Sequence, residues 1–119
     1  MSKIGIIAAL LLLTGCATQL PGKIYRGTYF YHFEASNFTP EGSEETWCVR
    51  STQMEKARLP EEKAPSPFGG PWGSADVVVR GELSPPGAYC SLSAYRYILN
   101  VYEILEVRNM KPGDPQDAP

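Results

Sequence analysis

The sequence predicts a small, mainly β domain: an antiparallel barrel carrying one short helix, with a two-sheet sandwich as the alternative. Three observations support this. Aromatic and polar residues alternate along residues 23–38, KIYRGTYFYHFEASNF, and a spacing of two places them on opposite faces of an extended strand. Residues 75–83, ADVVVRGEL, form a β-branched run that Ser84-Pro85-Pro86-Gly87 ends abruptly. The strand–helix rhythm of a parallel α/β protein is missing from the pattern.

The elements follow in order. Tyr25, Tyr29, Tyr31 and Phe33 fall on odd positions, with Thr28, His32 and Glu34 on the other face, and Phe30 interrupts the alternation. This stretch is expected to be one long first strand, bent at Gly27. Residues 37–45, NFTPEGSEE, read as a turn, because Thr39 before Pro40 favours extended backbone and Glu41-Gly42 continues the punctuation. Residues 45–50, ETWCVR, supply a second strand with Trp47 and Val49 on one face. Thr52 and Glu55 have capping-box spacing and open a short helix over 52–58, which Pro60 ends.

Residues 60–74 form a Pro/Gly loop ahead of the 75–83 strand. In the last segment, 95–108, Tyr95, Tyr97, Leu99 and Val101 alternate, and the apolar phase then shifts to Tyr102, Ile104 and Val107. A bulge or a sharp bend would reconcile the two phases. Ile98, Leu99, Tyr102 and Leu105 also fit a helix, but the β-branched and aromatic content favours a strand. The folded domain is thus expected over 23–109, with the proline-rich residues 110–119 as a disordered tail. A long bent first strand and a helix between the middle strands fit an OB-type barrel best.

The N-terminus reads as a leader. Lys3 precedes an unbroken apolar or small stretch from Ile4 to Leu13. That length matches a secretory core of about 7–15 residues and falls short of the roughly 20 that span a bilayer. Leu13-Thr14-Gly15-Cys16 resembles a bacterial lipobox. The resemblance implies removal of residues 1–15 as a lipoprotein signal peptide, diacylglycerol on the Cys16 thiol and a fatty acyl chain such as palmitate on its freed amine. Residues 16–22 would then be a lipidated tether. Cleavage after Ala17 by an ordinary signal peptidase is the alternative. Ala17 stands where aspartate would hold a lipoprotein in the inner membrane, so the resemblance implies the outer membrane, with the domain on the periplasmic side. Each buried methylene contributes about 0.8 kcal/mol, so two or three chains on one residue anchor firmly.

The charge balance is 11 basic against 13 acidic residues, and loss of Lys3 makes it one unit more negative. A basic stripe, the footprint of nucleic-acid binding, is not present. With Cys16 assigned to lipid, Cys48 and Cys90 remain as an even pair in an oxidising compartment and are expected to form a disulfide. It would close a loop of about 43 residues, which chain entropy values near 4 kcal/mol.

Two longer patterns carry a further resemblance. Gly27, Tyr29, Phe30, Phe33, Glu34, Ser36, Phe38 and Pro40 form the first; Gly81, Leu83, Ser84, Pro85, Gly87, Tyr89, Leu92 and Tyr95 form the second. Together they resemble a group of small proteobacterial lipoproteins, over about half the chain. Cys90 and Ser93 stand where that group carries glycine, and Ser91 where histidine is common. The resemblance brings no activity with it.

Little in the chain suggests catalysis. His32 is the only histidine. It shares a strand face with Glu34, so an envelope enzyme using His32 with a thiol of Cys48 or Cys90 is the alternative function. Zinc would need more His or Cys than remains, and neither metal nor cofactor is expected. Glu44-Glu45 and Glu61-Glu62 are adjacent loop pairs with no fixed common geometry. Binding or envelope assembly is the favoured class, with another envelope protein or a glycan as partner. Tyr29, Tyr31, Trp72 and Tyr95 are the candidate contacts, because exposed rings stack on sugars and peptides. In so small a domain most of the aromatic rings are expected to serve the core instead, and Trp72 reads either as a pin for its loop or as an exposed contact.

Overall fold

A computed structural model of the chain describes residues 20–32, 35–63 and 71–113. Five strands are present: β1 (Lys23–His32), β2 (Ala35–Pro40), β3 (Trp47–Arg50), β4 (Gly73–Leu83) and β5 (Ile98–Pro112). They close into a barrel in the order β1-β2-β3-β5-β4, with β4 pairing back onto β1. Every pairing is antiparallel except β3 with β5. This is the OB-like barrel that the sequence predicts.

The interior follows from alternation on β4, where Ala75, Val77 and Val79 are buried in turn while Asp76 points to solvent. Tyr29, Tyr31, Phe38, Leu99 and Val101 complete the core from the other strands. Gly27 and Gly81 mark places where neighbouring backbone comes too close for a side chain. A Cβ at Gly27 would lie 2.2 Å from the Thr39 carbonyl oxygen, and one at Gly81 2.2 Å from that of Asn100.

Several expectations are corrected. The single strand over 23–38 is a hairpin in which His32 pairs with Ala35. No glycine or asparagine advertises its two-residue connection, Phe33-Glu34, which lies outside the described residues. The turn expected from Asn37 therefore starts later, because Asn37–Pro40 belong to β2. The helix over 52–58 is a single 3₁₀ turn, Met54–Ala57, capped at Gln53 with no side-chain hydrogen bond. The capping box does not form. The Ser51 hydroxyl instead accepts from the Gln53 N–H at 2.9 Å, and Met54 and Ala57 turn inward to plug the barrel.

β5 also runs past the expected boundary at residue 109. Gly73 pairs with Pro112, and the Gly113 N–H donates to the Trp72 carbonyl at 2.9 Å. The phase shift in β5 is accommodated by bulges. Register slips between Val78 and Val79, and again between Arg80 and Gly81, leave Leu105 and Tyr102 as extra residues. Both side chains are exposed.

One end of the barrel gathers the start of β1, the turn 41–46 and the β4–β5 loop 84–97, because Lys23 pairs with Gly81 and Leu83 with Leu99. The other end gathers the end of β1, the start of β2, the 3₁₀ plug and the end of β5.

Candidate functional site: a strapped loop and a polar cleft

Cys48 and Cys90 form the expected disulfide, with Cα atoms 6.6 Å apart. Cys48 pairs with Asn37 on the outer face of the wall, opposite the inward Phe38–Trp47 pair, and it is buried because the β4–β5 loop is strapped over it. Within that loop Tyr89 and Tyr95 exchange backbone hydrogen bonds of 2.8 and 3.2 Å. The Tyr89 hydroxyl donates to the Pro85 carbonyl at 2.8 Å.

The loop tip is strained. Cys90, Leu92 and Ser93 have φ of 62°, 58° and 54°, a left-handed backbone costing about 1–2 kcal/mol per non-glycine residue. Leu92 is 97% exposed at this tip. Beneath the loop a ring cluster fills the barrel mouth. Trp47 lies 5.8 Å from Phe38, 5.6 Å from Tyr25 and 6.2 Å from Tyr97, and its indole N–H donates to Glu45 at 2.8 Å.

A second feature is a cleft of about 350 Å³ across the outer faces of β1, β4 and β5. Its charged lining is Arg26, Glu41, Asp76, Glu106 and Arg108, with Thr28 and Asn109 beside them. Asp76 accepts from Thr28 Oγ1 at 3.2 Å and from Asn109 Nδ2 at 2.8 Å. Asn109 is itself left-handed, at φ 52°, beside the register slip between Ser74 and Asp76. Arg108 pairs with Glu106. Arg26 is exposed and makes no ion pair among the described residues, so it leaves a guanidinium facing the cleft. The cleft therefore offers a cation, an oriented carboxylate and a hydroxyl to a polar ligand.

Near the mouth, Tyr102 donates to the Glu82 carboxylate at 2.6 Å. That hydrogen bond raises the Tyr102 pKa above the ordinary tyrosine value, with smaller contributions from burial and the Glu82 charge, partly opposed by Arg80.

Of the four candidate contact rings, three take the core reading. Tyr29 and Tyr31 are fully buried, with ring centroids 5.5 Å apart. The Tyr29 hydroxyl accepts from Arg58 at 2.9 and 2.7 Å and from Ser36 at 2.7 Å; that of Tyr31 accepts from the Leu59 N–H at 2.9 Å. Each hydroxyl is satisfied inside, so no ligand is needed to complete it. Trp72 is buried against Gly113. Tyr95 alone keeps a partly open side chain.

His32 sits at the hairpin end of β1, packed edge-on to Phe30, while the disulfide binds the opposite mouth. The structure thus brings His32 to neither sulfur, and both sulfurs are bonded to each other. Glu34 and Cys16 lie outside the described residues. Among the described residues no cluster of three His, Cys, Asp or Glu side chains forms a metal site, and no helix is long and apolar enough to cross a membrane.

Arg26, Asp76 and Arg108 do not stand out in the sequence, because the cleft they share joins three strands that are distant along the chain. Alternation places Arg26 and Thr28 on the outer face of β1 but cannot say what faces them. Compared with family models, curated proteins and solved structures, the chain matches none.

Proposed function

We propose that the protein is an outer-membrane lipoprotein, moored by acyl chains on Cys16, whose small periplasm-facing barrel binds a partner in the envelope. The observation carrying this reading is the placement of Cys16. It closes a Lys-plus-apolar leader and precedes, by only a few residues, the first strand of a compact barrel. Leu20 and Pro21 lead straight into β1, so an anchor at Cys16 would keep the domain at the membrane. The polar cleft around Arg26 and Asp76 is the contact face best suited to a protein or glycan partner, since it presents both signs of charge and a hydroxyl.

The test is metabolic labelling with radioactive palmitate, together with the mass of the mature N-terminal peptide. Label should enter the wild type and not Cys16→Ser, and the peptide should begin at an acylated Cys16. Label in Cys16→Ser, or a mature chain beginning at Thr18, overturns the reading. Crosslinking in intact envelopes tests the cleft. A partner captured by the wild type should be lost in Arg26→Glu, and capture unchanged by that substitution removes the cleft from the proposal.

A further inference from the structure

The end of the barrel that receives the tether also carries the most exposed apolar side chain among the described residues. Leu92 is 97% exposed, Leu20 67% and Ile24 52%. These three belong to one rim, because β1 begins beside Gly81 and the loop holding Leu92 leaves β4 two residues later, after Leu83. The last tether residues are fixed to that rim. Arg80 Nη1 donates to the Pro21 carbonyl at 2.5 Å, and Gly22, at φ +95°, lies against the Gly81 backbone so closely that a Cβ would come within 2.6 Å of its oxygen. From Cys16 to Pro21 the chain advances five residues, a reach of at most about 18 Å.

The chemistry of the loop points the same way. Over residues 84–97, SPPGAYCSLSAYRY, Arg96 is the single charged residue and no carboxylate is present. The acidic residues Glu41, Glu44 and Glu45 sit in the other turn at this end, between β2 and β3. The loop that presents Leu92 thus carries one cation, Arg96, and no carboxylate, whereas the β2–β3 turn at this end is acidic. A disulfide and the Tyr89–Tyr95 bridge hold the tip, so Leu92 is displayed on a fixed frame and not on a loose end. An apolar side chain on a rigid loop, held near lipid, gains by leaving water for the acyl boundary.

We propose that this end of the barrel rests on the bilayer, tilted so that the β4–β5 loop meets the surface and Leu92 inserts among the acyl chains. The inference rests on lipidation of Cys16. It adds an orientation: the 3₁₀ plug and the end of β5 point into the periplasm, and the cleft along β1, β4 and β5 stands on the side wall, open to a partner.

The experiment uses the full lipidated protein, its Cys16 acyl mass verified, in phosphatidylcholine vesicles with or without bromine on the acyl chains. Tryptophan is placed at Leu92→Trp, at Lys56→Trp on the opposite end, and at Leu20→Trp as a reporter beside the anchor. All three sites are exposed, and wild type supplies the background of Trp47 and Trp72. Insertion to the headgroup–acyl boundary predicts on the order of twofold quenching of the added emission in L92W and L20W, and none in K56W. An unquenched L92W on protein carrying the lipid mass overturns the orientation and leaves the lipoprotein reading intact. A blue-shifted but unquenched L92W also overturns it and assigns the knob to protein contact. Equal quenching at 92 and 56 shows no preferred end and likewise overturns it. Absence of the lipid mass overturns both readings.

Discussion

Cys90 reaches back to Cys48 across the barrel wall, and this bond fastens the β4–β5 loop to the outer face of β3. The link spans 42 positions in sequence and constrains the unfolded chain by about 4 kcal/mol on the loop-entropy estimate. For a domain of this size that is a large part of its total stability. Urea unfolding of Cys48→Ala/Cys90→Ala should therefore show a loss on the order of 3–4 kcal/mol relative to the oxidised wild type. Reductant should destabilise the wild type and leave the double variant unchanged. Equal stability of the two proteins would show that the bond does not constrain the fold.

Arg58 and Tyr29 form a second cross-link, inside the barrel and without covalency. The guanidinium donates twice to the Tyr29 hydroxyl and lies 5.4–5.8 Å over the rings of Tyr31 and Tyr29. A hydrogen bond from a charged donor is worth about 1.5–3 kcal/mol. Arg58→Ala and Tyr29→Phe should each destabilise by roughly that amount, and the double variant should cost clearly less than their sum. Strict additivity in the cycle would mean that the two groups do not interact.

These pairs show how far the sequence could be read. Alternation marked Tyr29 and Tyr31 as sharing a face, and it marked β4 correctly, because inward Val77 and Val79 leave no other choice of side. It could not say that the tyrosine face is the inner one. That depends on Arg58 and Leu59, nearly thirty residues away, which satisfy the two hydroxyls. The hairpin after His32 escaped notice for a local reason, since nothing in Phe33-Glu34 has the usual chemistry of a tight turn. An irregularity in β5 was legible as a slip of the apolar phase, but its place was not: Tyr102, read as part of the second apolar phase, is expelled to the surface along with Leu105. The cleft was not legible, because its three strands meet only in the closed barrel.

The left-handed tip gives a prediction of opposite sign. Ser93 has φ 54°, a conformation that glycine adopts without strain. Ser93→Gly should raise stability by up to about 1 kcal/mol, the relieved strain being partly offset by the greater freedom of glycine in the unfolded chain. The midpoint of thermal unfolding measures it. A clear fall in the midpoint would show that Ser93 is not strained in the folded protein.

Gly113 tests where the domain ends. A Cβ there would sit 2.2 Å from the Trp72 ring, so even alanine must displace the indole or the end of β5. Overpacking of this kind costs about 1–3 kcal/mol. Gly113→Ala should therefore lower stability by that amount and shift the emission of Trp72, which is otherwise only 2% exposed. A neutral effect on both would place residue 113 in the tail and return the boundary to the last turn of the barrel.

The Tyr102–Glu82 contact links the exposed face of β5 to pH. Its hydroxyl donates to a carboxylate, so the neutral phenol is the favoured form and the folded-state pKa lies above the unfolded one. The sign follows from this. The contribution to stability is complete below the unfolded tyrosine value, about 10, and is lost as pH rises through the higher folded value, where the phenolate meets Glu82. Because Tyr102 lies at the surface, the loss should be small and reduced by salt. In a ¹³C titration of the tyrosine ring carbons, one resonance should move at higher pH than a free tyrosine and vanish in Tyr102→Phe. In Glu82→Gln the Tyr102 resonance should return toward the ordinary value. An unchanged titration in Glu82→Gln would exclude the carboxylate as the cause.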